Sequence, residues 1–247
     1  LHGEEVIPLT YGDVASGRQT RGHRFMAPEP IELASADQYL EKLEAAHVLP
    51  DPIRRREELH ARLTEAAKSV GAEIRPDDGL LDEVVSLVEL PIPLLGTFDE
   101  ASLDLPPEVL IQEMRNHQRY FSLVDDEGKL VPKFIAVSNT RVKDEKLSVR
   151  GYERVLRARL ADGRFFFDED LKSSFEDWNE ELGNVTFHRD LSSVAEKVKR
   201  LVSLTETLVE KTHHSETKDT AIRAAGLAKA DLVTLMIGEF PELQGIM

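Results

Sequence analysis

The 247-residue sequence contains no cysteine and no apolar run close to the length of a membrane span. Without cysteine the chain can form no disulfide, no cysteine-ligated zinc site and no thiol nucleophile, a composition typical of the reducing cytoplasm. A spanning helix needs about 20 apolar residues, and the longest candidate, 228–237, is interrupted by Lys229 and Asp231. With 41% hydrophobic residues, we expect a globular cytoplasmic protein, neither fibrous nor bound to a membrane.

The sequence also lacks the short motifs of common catalytic sites. It contains no G-x-x-x-x-G-K-[ST] or G-x-G-x-x-G phosphate loop, no G-x-S-x-G nucleophile turn and no His-Glu-x-x-His pair. We therefore expect no catalytic residue and no bound cofactor in this chain.

Positive charge is scarce, with 31 Lys and Arg against 46 Asp and Glu and a net charge of −15. A uniformly acidic surface repels polyanions. Residues 111–165 nevertheless hold 12 basic and 8 acidic residues, a local charge of +4. Such a segment can bind a phosphate backbone, or its cations can form surface ion pairs, and composition leaves both interpretations open.

Hydrophobic spacing and turn residues predict an α+β protein. The spacing predicts helices over about 35–48, 52–70, 78–89, 107–120, 145–171, 192–211 and 217–237 and strands over 91–98, 121–124 and 130–138. Pro132 predicts that the start of the last strand lies at a sheet edge. Because strand patterns stop after Asn139, we expect a mixed α/β domain over 1–183 and the start of a truncated all-α domain over 184–247.

Two arginine clusters are candidates for RNA contacts. The first, the N-terminal arginine loop (17–25), combines Arg18, Arg21 and Arg24 with His23 between glycines. Arginine binds phosphate with two parallel hydrogen bonds, and glycine lets a backbone approach closely. The alternative is a structural loop held by ion pairs to Asp or Glu.

The second cluster lies on the predicted helix over 145–171. Arg150, Arg154 and Arg157 share one face at spacings i, i+4 and i+7, with Arg159 close by. Pairing within the chain, with Glu153, Asp162 or Asp168, is the alternative. The following Phe165, Phe166 and Phe167 are interpreted as core residues.

A weak metal-site pattern occurs in the C-terminal part. His188, His213 or His214, and Asp231 follow one another as the ligands of helical metal phosphohydrolases do. The adjacent His-Asp pair of that pattern is absent, because Ser215 follows His214. We expect no bound metal, with a metal phosphohydrolase as the alternative function.

Several longer blocks carry a family resemblance across nearly the whole chain. In order they are GRQTRGHRF (17–25), ADQY (36–39), SLVELPIPLLGTFD (86–99), HQRYFSLVDDEGKLVPKFIAVSN (117–139), ERVLRARLADGRFFFDEDL (153–171) and KADLVTLMIGEFPELQGIM (229–247). They resemble the β subunit of the two-chain bacterial glycyl-tRNA synthetase, and the last two blocks are the most specific.

The resemblance implies a ligase of two α and two β chains that joins glycine to tRNA(Gly). It implies that the α subunit uses ATP and Mg²⁺ at a class II site, while the β subunit supports tRNA recognition. The chain would then be an internal fragment without the anticodon-binding region. Its first part resembles the editing-type module of the phenylalanyl-tRNA synthetase β chain, and its later part an HD-type domain with a degenerate ligand set. A scaffold that holds the α subunit without touching RNA is the third interpretation.

Overall fold

The computed structural model describes residues 1–212 and 215–246, a mixed α/β structure with antiparallel sheets. Its α-helices are α1 (Tyr39–Ala45), α2 (Pro52–Lys68), α3 (Asp78–Leu87), α4 (Pro107–Gln112), α5 (Glu145–Asp170), α6 (Phe175–Glu181), α7 (Val194–Thr212), α8 (Lys218–Leu227) and α9 (Leu235–Glu239). Its strands are β1 (Thr10–Tyr11), β2 (Val14–Ala15), β3 (Gln19–Arg21), β4 (Pro30–Glu32), β5 (Glu73–Ile74), β6 (Ile92–Thr97), β7 (Phe121–Val124), β8 (Leu130–Ser138), β9 (Thr186–His188) and β10 (Ser192–Ser193). The predicted α+β class is confirmed at this level.

Contacts along the chain define two compact units. The first comprises residues 1–103 and 114–157, and the second comprises residues 104–113 and those from 158 onward. This division falls inside α5, because its two halves pack within different units. The predicted domain boundary near Gly183 describes another division and stays a prediction.

The first unit is built around a four-stranded antiparallel sheet in the order β5-β7-β8-β6. The predicted turn between β7 and β8 forms, with Asp125 accepting backbone hydrogen bonds and Gly128 at a φ of +78°. Strand β8 lies between β7 and β6, but its start, which Pro132 was predicted to place at an edge, extends past the end of β6, whose last partner on β8 is Lys133. Pro132 is tolerated there because it lies opposite Phe98, just past the end of β6, and near a register shift against β7.

Helices α2 and α3 cover one face of this sheet. Asp51 caps α2 by accepting hydrogen bonds from the backbone of Ile53 and Arg54, with Pro52 at the first helical position. On each helix the buried residues of this layer recur every three to four positions. The buried residues of the helices and of the sheet form one apolar core. They are Leu59, Leu63 and Ala67 of α2, Leu80, Leu81, Val84 and Val85 of α3, and Phe121, Leu123 and Ile135 of the sheet.

The opposite face of the sheet is closed by aromatic rings. The ring of Phe134 stacks on Tyr120 at a centroid distance of 4.6 Å, and Tyr152 of α5 meets Tyr120 edge-on. Gly96 is the cross-strand partner of Phe134, and a Cβ at that position would lie 2.3 Å from the Phe134 ring. Burial, with the nearby Tyr152 hydroxyl, raises the pKa of Tyr120 to about 12. The close packing requires glycine at position 96.

The second unit is mostly helical, but it differs from the sequence prediction in two places. Strands β9 and β10 form a short antiparallel ladder where only helices were predicted, because residues 186–193 turn back on themselves. The helix predicted over 217–237 is divided into α8, a 3₁₀ turn and α9. The Asp170 carboxylate accepts hydrogen bonds at 2.8 Å from the backbone N–H groups of Leu235 and Met236, so α9 has its own capped start.

The sequence predicted that the three phenylalanines at the end of α5 are core residues, but they are not uniformly buried. Phe165 is 56% exposed and touches Phe166 edge-on, while Phe167 lines a pocket of the second unit. Among the described residues, every helix is too short or too polar to cross a bilayer.

Candidate nucleic-acid interface

Arg18 holds the N-terminal arginine loop to its own backbone. Its guanidinium donates to the carbonyl oxygens of Ala34 at 2.8 Å and Leu33 at 3.4 Å, and also to that of Glu4. The side chain is half-buried. This is a structural clamp, as the alternative interpretation held, although its acceptors are backbone carbonyls rather than carboxylates.

His23 is the buried centre of the same loop, at 2% exposed. Its Nε2 lies 2.6 Å from the Asn139 carbonyl oxygen, and its Nδ1 accepts from the backbone N–H groups of Phe25 and Met26. The accepting Nδ1 assigns the proton to Nε2, as in a neutral imidazole. His23 therefore positions the loop instead of presenting its ring to a ligand.

Gly22 lets the loop approach α1 closely, because a Cβ there would lie 2.4 Å from the Ala46 Cβ. At the outer side of the loop, the Arg24 guanidinium lies 5.7 Å from the ring centroid of Phe25, which is 73% exposed. Arg21 ends β3 and is also exposed. Of the loop candidates, Arg21 and Arg24 can reach an external phosphate without breaking a hydrogen bond that holds the fold.

The helical arginine face consists of Arg150, Arg154 and Arg157 on the first half of α5, all exposed. Arg150 donates from Nε to the Lys146 carbonyl at 3.3 Å. Arg154 and Arg157 form no ion pair within the described part of the chain.

Of the three acidic residues named as alternative partners of these arginines, Glu153 is engaged elsewhere. Glu153 accepts hydrogen bonds at 2.9 Å from the backbone N–H and the hydroxyl group of Thr97. Two guanidinium groups one helical turn apart, Arg154 and Arg157, are therefore open to a polyanion.

The arginines of α2 provide the contrast. Arg54 pairs with Glu44, and Arg62 pairs with Glu58 at 2.7 Å. Arg56 bridges two carboxylates of α3 at 2.6 and 2.7 Å, which raises its pKa. These cations are engaged in ion pairs within the first unit.

Arg159 belongs to the second unit, where its charge faces a buried carboxyl group that the sequence analysis missed. Glu113 is 1% exposed, and its Oε2 has no hydrogen-bond partner among the described residues. The pKa of Glu113 is raised to about 7, mainly by burial; the charge of Arg159 lowers it, and the charges of Asp162 and Glu239 raise it. Arg159 thus acts on Glu113 through its charge.

A sequence signal for Glu113 does exist. It falls three and four residues after Leu110 and Val109, which are buried, so it lies on the apolar stripe of its helix. It also opens a π-helical turn over Glu113–His117, a local widening that often accompanies a special side-chain role.

The weak metal candidates do not converge in the described residues. His188 is exposed and accepts from the Asp190 backbone, while Asp231 accepts from the Gly245 backbone at 2.7 Å. His214, like His213, lies outside the described residues. Within 1–212 and 215–246, no three His, Asp or Glu side chains group as metal ligands. The expected absence of a metal stays a prediction.

Comparison with known proteins gives one consistent result. The family model described as "Glycyl-tRNA synthetase beta subunit" matches residues 1–247. The chain is 58% identical to the "Glycine--tRNA ligase beta subunit" of Myxococcus xanthus over 247 residues, all of this chain and 35% of the relative. It is 49% identical to the protein of that name in Geobacter sulfurreducens over 242 residues, 98% of this chain and 35% of the relative. The chain thus spans about a third of the length of these curated relatives.

Proposed function

Because the chain belongs to the glycyl-tRNA synthetase β-subunit family, we propose that it serves the ATP-dependent attachment of glycine to tRNA(Gly) by contacting the tRNA backbone. The aminoacylation site, with its ATP and Mg²⁺, lies on the partner α subunit in this proposal. Two α and two β chains form the cytoplasmic ligase.

The observation that carries the RNA-binding part is the helical arginine face. In a chain of net charge −15, Arg154 and Arg157 are exposed cations without an ion pair in the described residues. Unpaired cations can neutralise phosphates without first breaking a bond inside the protein. Arg21 and Arg24 extend the proposed contact to the N-terminal loop.

Two finer proposals concern the domains. We propose that residues 1–183 form a mixed α/β domain like the editing-type module of the phenylalanyl-tRNA synthetase β chain, and that residues 184–247 begin a degenerate HD-type domain. No observation favours a metal phosphohydrolase, since His188 and Asp231 each serve local backbone hydrogen bonds.

The decisive experiment measures tRNA(Gly) affinity of the complex with the α subunit as a function of salt. The double substitution Arg154→Ala with Arg157→Ala removes two proposed phosphate contacts. The slope of log affinity against log salt should then fall by about two, since each lost contact lowers it by about one. Sequence preference should change little.

The matched control removes the same charge from arginines that are paired with surface carboxylates, by Arg54→Ala with Arg56→Ala. That variant should keep the wild-type slope for tRNA(Gly) and lower the melting temperature slightly, because surface ion pairs contribute about 0–1 kcal/mol each. Equal slopes for both variants and the wild type would instead favour a scaffold that holds the α subunit without touching RNA.

A further inference from the structure

A pocket in the second unit is formed where the end of α5, α6 and the start of α9 meet. It encloses about 140 Å³. The rings of Phe175 and Trp178 meet edge-on at 5.2 Å and form one wall. The pocket is lined by Phe167, Asp170, Leu171, Phe175, Trp178, Asp231, Thr234 and Met236.

The polar groups of this pocket are satisfied by the fold itself. Both oxygens of Asp170 accept backbone hydrogen bonds at the start of α9. Asp231 accepts from the Gly245 backbone, and the Thr234 hydroxyl donates to the Asp231 carbonyl. The space that remains is apolar and aromatic.

Apolar side chains also surround the opening. Leu171, Phe175 and Leu235 are 68%, 51% and 49% exposed. Contiguous exposed apolar surface around a pocket marks an interaction site more often than isolated exposed residues do. A pocket of about 150 Å³ lined by apolar groups accommodates a benzene-sized molecule, so this one is large enough for one apolar side chain.

The charge around the opening is one-sided. Helix α6 carries four exposed carboxylates and no Lys or Arg, and α5 adds Asp168 close to its end. Lys172, just past the end of α5, is paired with Glu169 at 2.5 Å. The carboxylates of α6 are Glu176, Asp177, Glu180 and Glu181. This surface repels nucleic acid and attracts cations.

We propose that this pocket binds a basic segment of a partner protein, which inserts one apolar side chain against the wall formed by the rings of Phe175 and Trp178. Lysine or arginine residues flanking that side chain lie against the carboxylates of α6. The apolar side chain supplies the anchor, and the surrounding charges select the partner and speed its approach. This interaction is separate from the proposed tRNA contact and does not depend on it.

Trp178 is the only tryptophan of the chain, so its fluorescence reports on the pocket directly. The probes are three short peptides without aromatic residues: a central leucine flanked by lysines, a central serine flanked by lysines, and a central leucine flanked by glutamates. The lysine–leucine peptide should shift the Trp178 emission saturably. Its affinity should exceed that of each other peptide by about tenfold, the effect of burying one leucine side chain or of reversing the flanking charges.

Variants then locate the binding. Phe175→Ala should weaken the lysine–leucine peptide about tenfold by removing one wall of the pocket. Phe165→Ala is the matched control, because Phe165 is similarly exposed on α5 but does not line the pocket, and it should bind like the wild type. Circular dichroism verifies that both variants are folded.

Equal binding of the serine peptide would show nonspecific charge attraction and overturn the proposal. Equal binding of the glutamate peptide would show an apolar pocket without selection for a basic partner. No shift with any peptide, or equal weakening by both phenylalanine variants, would refute binding at this pocket.

Discussion

The buried carboxyl group of Glu113 should make the second unit less stable as the pH rises from about 5 to about 8. Glu113 is 1% exposed, and its Oε2 finds no hydrogen-bond partner within the part of the chain that the structure describes. Burial is the main cause that raises its pKa from the usual 4.5 to about 7. Arg159 lowers the pKa, but Asp162 and Glu239 act in the opposite direction.

The sign of the effect follows from proton binding. Between pH 4.5 and about 7 the folded state retains the Glu113 proton that the unfolded state has released. The free energy of unfolding therefore falls as the pH rises through this range, and the loss is complete above the folded pKa. Each pKa unit corresponds to 1.36 kcal/mol, so the destabilisation above pH 7 reaches up to about 3 kcal/mol.

The test is the variant Glu113→Gln, unfolded by urea at pH 5 and at pH 8 and followed by the fluorescence of Trp178 in the same unit. Glutamine resembles the protonated carboxyl group but does not titrate. Any packing cost of the amide is the same at both pH values, so the change between them isolates the titration. We compare the free energy of unfolding of the variant with that of the wild type at each pH. The difference in favour of the variant should be larger at pH 8 than at pH 5, by up to about 3 kcal/mol.

The exposed Glu108 lies on α4, which the π-helical turn of Glu113 continues. The variant Glu108→Gln provides the control and should change the free energy of unfolding by less than about 0.5 kcal/mol. If Glu113→Gln differs from wild type by the same amount at both pH values, the reasoning fails. Arg159 would then hold the Glu113 carboxylate ionised in the folded state throughout the range.

Three further substitutions test the packing. Gly96→Ala should cost about 1–3 kcal/mol in thermal unfolding, since the new Cβ overlaps the Phe134 ring; an unchanged melting temperature would contradict this. Asn139→Ala should lower the free energy of unfolding by about 1–3 kcal/mol, because the backbone N–H groups of Glu89 and Leu90 lose their acceptor. Asn139→Asp keeps an acceptor oxygen and should cost less in the same unfolding assay. Asp170→Ala should destabilise the second unit by about 0.5–2 kcal/mol, because α9 loses its cap. Unfolding followed by Trp178 fluorescence measures this. An equal effect of Asp168→Ala, a substitution at an exposed neighbour, would refute the role of Asp170 as a cap.

The sequence by itself determined most local structure of the first unit. Helix α2 begins where Asp51 and Pro52 predict its start, because a side-chain cap and a proline at the first helical position act over neighbouring residues. The hairpin of β7 and β8 follows from apolar runs around the turn at 125–128. The long sequence blocks also identified the family, which the whole-chain comparison confirmed.

Only the tertiary structure decided which of the arginine, histidine and glutamate candidates are available. Arg18 and Arg21 are close in the same short stretch, yet only Arg18 meets the carbonyls of residues 33 and 34 that hold it. His23 is buried by a contact with Asn139, 116 residues away in the sequence. The proton affinity of Glu113 likewise depends on burial against distant residues.

The positions of helix ends in the second unit show the same limit. The periodic pattern over 217–237 suits one helix, but the Asp170 carboxylate, more than sixty residues earlier, accepts the N–H groups that a continuous helix would bond internally. Local propensity is a weak preference of a few tenths of a kcal/mol to about 1 kcal/mol per residue, comparable to one such long-range cap. Interactions between neighbouring residues can be deduced from the order of amino acids, whereas those that join distant segments exist only once the chain has folded.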